Sequence, residues 1–305
     1  MLSAGTRNRL KYALGSPVAS AELAASLGGY NFPGTAYYVD LATGNDSFEG
    51  TSWTYPFLTI QLAVDVAVAR DAIFVAGGDY AEDVVMDTAH VNLIGVGSRD
   101  SVQVTGTSAG AKTALEIAAS DVGVYNLNLQ GRTSSGSGIE LSGNIRRIHI
   151  SGCLFRGGDQ AMLIDPNGST FQVNDVYIED CVFMSAALGV KVALSGGADP
   201  CNRSVFRNGC VFRDITTDCI QASTAGSLRR VLVDGCVFQA SDSTEPTTFL
   251  NLAGSNTGLI SNNVFHTTVF STAKFTIPAG VLFANNISQA ENPSAAVGGS
   301  SGRPD

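Results

Sequence analysis

Six segments of the chain close on the same short phrase. RRIHISGCLF ends at Phe155, NDVYIEDCVF at Phe183, SVFRNGCVF at Phe212 and RRVLVDGCVF at Phe238. TGLISNNVF at Phe265 and GVLFANNIS around Ile287 keep the pattern with Asn in place of Cys. The markers Cys153, Cys181, Cys210, Cys236, Asn263 and Asn286 are thus spaced by 28, 29, 26, 27 and 23 residues. Fainter members lie upstream, near Gly95 and Gly131. Each unit reads apolar-x-apolar, a polar or Gly corner, then Cys or Asn, an apolar residue and Phe, which is period-two alternation broken by a bend. Such a unit is too short for a four-stranded propeller blade and lacks a leucine-repeat framework. No helical stripe appears between roughly residues 73 and 288. What remains is an all-β chain, a single-stranded right-handed parallel β-helix of about eight coils. At a strand spacing of ~4.8 Å it forms a rod on the order of 40 Å long.

Strands must stay in register for such a core to stack, so variation in coil length is expected to leave as loops at the corners. Those loops are expected within 156–175, 184–204, 213–229, 239–258 and 266–280. The six markers are expected to form an inward ladder, Cys153, Cys181, Cys210 and Cys236 as small buried thiols and Asn263 and Asn286 as amides bonding corner backbone. Cys201 and Cys219 fall outside it.

Composition narrows the function classes. With 44% apolar residues the chain is not a disordered one, and its 34 Gly follow no collagen period. No run approaches the ~18 apolar residues of a membrane span, and the first residues lack the apolar core of a secretory signal. A net charge of −9 with four Lys argues against nucleic acid as a partner.

The segment YYVDLATGNDSFEGTSWTYPFLTIQ carries a resemblance. Tyr37–Asp40, Gly44–Ser47, Gly50, Pro56–Gln61 and Gly78–Tyr80 are similar to the opening of pectate-lyase-like β-helix proteins. Thr59–Arg70 reads as an amphipathic helix placed to close the open end of the rod. The expected organisation is an N-terminal arm over 1–35, a cap over 36–72, the β-helix over 73–290 and a Gly/Ser-rich tail over 291–305. Within the arm, Thr6–Leu14 and Pro17–Leu27 read as short helices. Residues 1–30 carry Arg7, Arg9, Lys11 and one acid, Glu22, a net +2 that leaves −11 for the remainder.

Carboxylates are the first candidates for chemistry, because glycoside hydrolysis needs two of them at a defined spacing. The signatures of the enzymes that this resemblance suggests do not occur. The nearest approach is Asp159 with Asp218, two coils apart, joined by Asp214. Asp40, Asn45 and Asp46 in the GNDS turn are oxygen donors that calcium would accept, although without EF-hand spacing. His149, between Ile148 and Ile150, is expected to point outward. Trp53 is read as packing under the cap, with stacking on a sugar as its alternative. No cofactor is expected.

The whole resembles bacteriophage β-helix proteins, tailspikes and trimeric capsid decoration (cement) proteins. That resemblance implies a virion structural protein on the outer capsid surface, with Arg7, Arg9, Lys11 and Tyr12 as anchor residues against the major capsid protein. It also implies a homotrimer, for which Phe249, Phe270 and Phe275 are the contact candidates. The alternatives are a tailspike that binds or cleaves host surface glycan and a pectate-lyase-like carbohydrate enzyme.

Overall fold

A computed structural model describes residues 34–107, 113–131, 136–166, 171–193, 201–222, 228–240, 245–253, 257–267 and 271–290. The chain winds as a parallel β-helix, and every strand pairing is parallel and links one coil to the next. Face 1 is a ten-stranded sheet from Ala36–Val39 to Val281–Ala284. Face 2 runs from Gly78–Ala81 to Ile287–Ala290, and face 3 from Val84–Met86 to Phe275–Thr276. Faces 2 and 3 form one fifteen-stranded sheet, because Val182–Val192 and Val211–Gln221 pass through the corner between them. Among the described residues eight coils place a strand on all three faces, and a ninth places strands on faces 1 and 2.

The repeat phrase is the corner between faces 1 and 2. The residue before each marker has a left-handed backbone: Gly152 at φ 68°, Asp180 at 50°, Gly235 at 64°, Asn262 at 56° and Asn285 at 53°. Only Gly, and less freely Asn or Asp, enters that region at low cost, which explains the residue types at the corner. Two residues beyond each marker from Cys153 to Asn263 the Phe column stacks in register. Phe183–Phe212, Phe212–Phe238 and Phe238–Phe265 have ring centroids 4.6, 4.7 and 4.7 Å apart, all fully buried.

The markers themselves are buried. Each thiol points at a carbonyl of the preceding coil, Cys153 at Val124, Cys181 at Ile150, Cys210 at Ile178 and Cys236 at Phe206, with sulfur–oxygen distances of 3.5–3.8 Å. Asn263 and Asn286 address the equivalent carbonyls, Val233 and Ile260, each from Nδ2 at 2.9 Å. Cys201 is buried on face 1 beside the Ser204 hydroxyl at 2.9 Å, and burial pushes its thiol up to about 12. Cys219 is buried too, and burial raises it further.

Three expectations need correction. The helix (α1) spans Ile60–Val66 rather than Thr59–Arg70. Ala67 is already extended, and Asp71 accepts the Val68 N–H at 2.9 Å, which turns the chain into the first coil. The long stretches expected as loops instead carry face 3, as Gln160–Asp165 and the later parts of Val182–Val192 and Val211–Gln221. Phe249 and Phe275, expected as contacts between copies, are 0% and 9% exposed. They point into coils seven and eight, where Phe275 meets Phe265 edge-on at 4.9 Å. Phe270, the arm with Arg7, Arg9, Lys11 and Tyr12, and the tail lie outside the described residues.

Candidate functional site

The outward side of face 1 is where charge gathers. Its strands Ile145–Ser151, Val173–Glu179 and Cys201–Arg207 each carry a left-handed residue at their third position, Arg147, Asp175 and Arg203, and these continue a column that starts at the left-handed Asp121 one coil earlier. Arg147 grips Asp121 of the coil before it through both carboxylate oxygens, with Nη2–Oδ2 at 2.6 Å, and holds that carboxyl below the usual carboxylate range. Arg203 grips Asp175 in the same way, with Nη2–Oδ2 at 2.7 Å. Such fork-to-fork pairs fix geometry as well as charge.

A second chain of contacts runs beside this column through four coils. The Tyr125 hydroxyl lies 3.1 Å from His149 Nδ1. Nε2 of the same ring faces Glu179 Oε2 at 3.7 Å, too long for a hydrogen bond but close enough for charge to be felt. Glu179 Oε1 accepts from Arg207 Nε at 2.5 Å. Burial lowers the pKa of His149, and the Glu179 charge opposes that shift. Between the two chains Tyr177 presents its ring, 37% exposed. Of these side chains, Arg147, His149, Asp175, Tyr177, Glu179, Arg203 and Arg207 line an open groove of roughly 730 Å³. Its parts are visible in the sequence as alternate residues of aligned repeat units. Read one unit at a time they look like ordinary surface residues, and only the register brings them together.

The sequence candidates lie elsewhere. Asp218 is 3% exposed on face 3 and accepts from the Thr248 hydroxyl, from Gln221 Nε2 at 2.7 Å and from Asn251 Nδ2 at 3.1 Å. Gln160 and Leu188, not Asp159, share its column, so Asp159 is offset by one residue as well as two coils. Asp214 occupies a left-handed turn position, φ 55°. None of the three reaches the groove on face 1.

The GNDS turn is organised by its own backbone. Asp46 accepts from the Leu58 and Thr59 N–H groups at 2.8 and 3.0 Å. Asn45 accepts from Ser47 N–H at 2.9 Å, and Asp40 from Ala42 N–H at 2.9 Å. Glu82 completes the cap, accepting from Ile60 and Gln61 N–H at 3.0 and 2.9 Å, while burial raises its pKa. These oxygens act as turn and helix-cap acceptors. No group of three or more His, Cys, Asp or Glu suited to a metal occurs among the described residues. Trp53 packs on Tyr38 with centroids 4.7 Å apart. Among the described residues no helix is long and apolar enough to cross a membrane.

No protein-family model matches the chain, and no curated protein sequence does. Solved structures do. A pectin methylesterase from Aspergillus niger superposes with a TM-score of 0.56 at 18% identity, over 90% of this chain and 92% of that one. Pectin methylesterase PemA from Erwinia chrysanthemi gives 0.52 at 13% identity, over 86% and 90%. A GH136 lacto-N-biosidase from Eubacterium ramulus gives 0.57 at 12% identity, over 84% of this chain and 56% of that one. Identities this low carry the fold alone, and the fold they share with this chain is the right-handed parallel β-helix.

Proposed function

We propose that the chain is a structural protein of a bacteriophage particle, a capsid decoration (cement) protein whose rod stands on the shell and whose N-terminal arm, residues 1–35, docks there. The observation that carries this reading is the state of the carboxylates in the face 1 groove. A hydrolase needs one carboxyl that holds a proton and one that is free to attack or to activate water. Here Asp121, Asp175 and Glu179 are each gripped by an Arg from the next coil. Such a ladder ties coils along the axis, and Arg147 also holds Asp121 below the usual carboxylate range, which suits a stiff projecting element better than a reacting centre. The resemblance to phage β-helix proteins and the +2 charge of residues 1–30, against an otherwise acidic chain, support docking through the arm.

Rebinding tests it. Full-length chain added to particles stripped of it is expected to saturate the shell, and Arg7→Glu/Arg9→Glu/Lys11→Glu to abolish that binding with the rod still folded. Equal rebinding by this variant would refute docking through the arm.

One observation favours a second reading, a tail protein or enzyme that handles carbohydrate. The Tyr177 ring, flanked by planar guanidinium and carboxylate groups, has the aromatic and polar composition that a sugar ring accepts. Specific retention on a host surface polysaccharide, lost in Tyr177→Ala, would favour that reading over decoration.

A further inference from the structure

Below the groove, the outward side of face 1 changes character. One column of face 1 reads, coil by coil, Tyr177, Val205, Leu232, Leu259, Leu282, each in register with the next. All point away from the core. Tyr177 and Leu259 are 37% exposed and Leu282 69%. An isolated exposed leucine is unremarkable, but five successive coils with an apolar residue in one line make a strip, and such strips mark association surfaces. Nearer the start of the same sheet, where its outward side carries Tyr38, Phe74 and Ile94, those residues are buried in a second cluster with Trp53.

The flanks of the strip identify its partner. At the level of Leu232 the strand carries Arg230 on one side and Asp234 on the other. Arg230 is exposed and makes no ion pair among the described residues. Asp234 accepts from Ser261 Oγ and Asn262 Nδ2 through Oδ1, both at 2.7 Å. One level up, Arg203 and Arg207 are already bound to Asp175 and Glu179. One level down, the flanks are the uncharged Thr257 and Ser261.

We infer that this face binds a second copy of the chain, running parallel, about a rotation axis along the rod. Rotation about such an axis keeps every coil at its own height and opposes the left flank of one copy to the right flank of the next. Leu259 and Leu282 then meet their own counterparts, and Arg230 of one copy meets Asp234 of the other. An antiparallel pairing would set Leu282 against the charged end of the strip. The inference does not need the virion reading, because self-association in solution is measured without particles.

Light scattering on the full chain at ~50 μM is expected to give the mass of two or three chains. Leu259→Asp/Leu282→Asp is expected to give a monomer with unchanged circular dichroism. Arg230→Asp and Asp234→Arg are each expected to weaken association by roughly tenfold or more, and the double exchange to restore it. All six native cysteines are buried, so Leu282→Cys adds the accessible thiol among the described residues. It is expected to cross-link to itself in mild oxidant, which a parallel pair permits and an antiparallel one forbids. A monomeric wild-type chain, failure of the charge exchange to rescue, or absence of the Leu282→Cys cross-link would each overturn the inference, whatever the copy number on particles.

Discussion

The corner between faces 1 and 2 is built in two materials. From Cys153 to Cys236 the ladder is made of thiols, and at Asn263 and Asn286 it is made of amides, yet both reach for the same carbonyl of the coil above. The thiol contacts to that carbonyl are long, 3.5–3.8 Å, each thiol also lies near a carbonyl two or three residues back, at 3.2 Å for Cys181, and S–H is a weak donor. The amide does more. Asn263 donates to Val233 O at 2.9 Å while its Oδ1 accepts the Cys236 N–H at 2.8 Å, and Asn286 Oδ1 accepts the Asn263 N–H at 3.0 Å. The first region is a hydrophobic filler with a slight polar bias, whereas the second is a hydrogen-bonded clamp. The clamp sits at the eighth and ninth coils, the last of the described ones. One corner geometry is thus held by packing in the fourth to seventh coils and by directed bonds in the last two described.

Exchanging the materials should expose the difference. Asn263→Leu strands the Val233 carbonyl and the Cys236 N–H in a dry corner. It is expected to cost about 3 kcal/mol or more, read as a lowered denaturation midpoint. Cys181→Ala leaves a small void but no stranded strong donor, and about 1 kcal/mol is expected by the same assay. If the two variants cost the same, the distinction between filler and clamp is wrong. Cys236→Asn extends the amide run by one coil, with Phe206 O and the Cys210 N–H as its targets. Its cost is expected to stay below about 1 kcal/mol, because the volume change is small and the new donors have partners.

The smallest effect lies outside the corner, on face 1. Burial lowers the pKa of His149, so the folded chain prefers the neutral ring. The unfolded chain then binds the extra proton first. Stability is therefore full above the ordinary His range and falls as pH drops from about 6.5 toward the depressed folded value. Urea midpoints between about pH 7.5 and 5.5 should show this slope in the wild type and a flatter one in His149→Gln. Asp121, held low by Arg147, contributes its own loss only at more acid pH.

Much of this was readable from residues. The spacing of Cys153, Cys181, Cys210 and Cys236 carried the coil, the corner and the Phe column together, because each is a local signal repeated in register. Face 3 is legible only as the third strand that a coil of this length needs, not in its position. Gln160–Asp165 is buried at four of its six positions, and a run buried on both sides lacks the alternation that marks a strand. Without the position of face 3, Phe249 and Phe275 exceed what the interior of a coil needs and read as outward residues, whereas they fill coils seven and eight. The groove failed for a different reason. His149, Glu179 and Arg207 are separated by about one coil each, and nothing local says that they touch. Asp218 is a candidate in the sequence because it pairs with Asp159 two coils away, but its actual partners, Thr248 and Asn251 one coil further on, are set only by the register.

The central claim is that this rod is a repeated element of a virion shell rather than a catalyst. Quantitative mass spectrometry of purified particles, with the major capsid protein as internal standard, tests it most directly. The account predicts a copy number in fixed ratio to the capsid lattice, on the order of hundreds per particle. A few to a few dozen copies, or none, would contradict it.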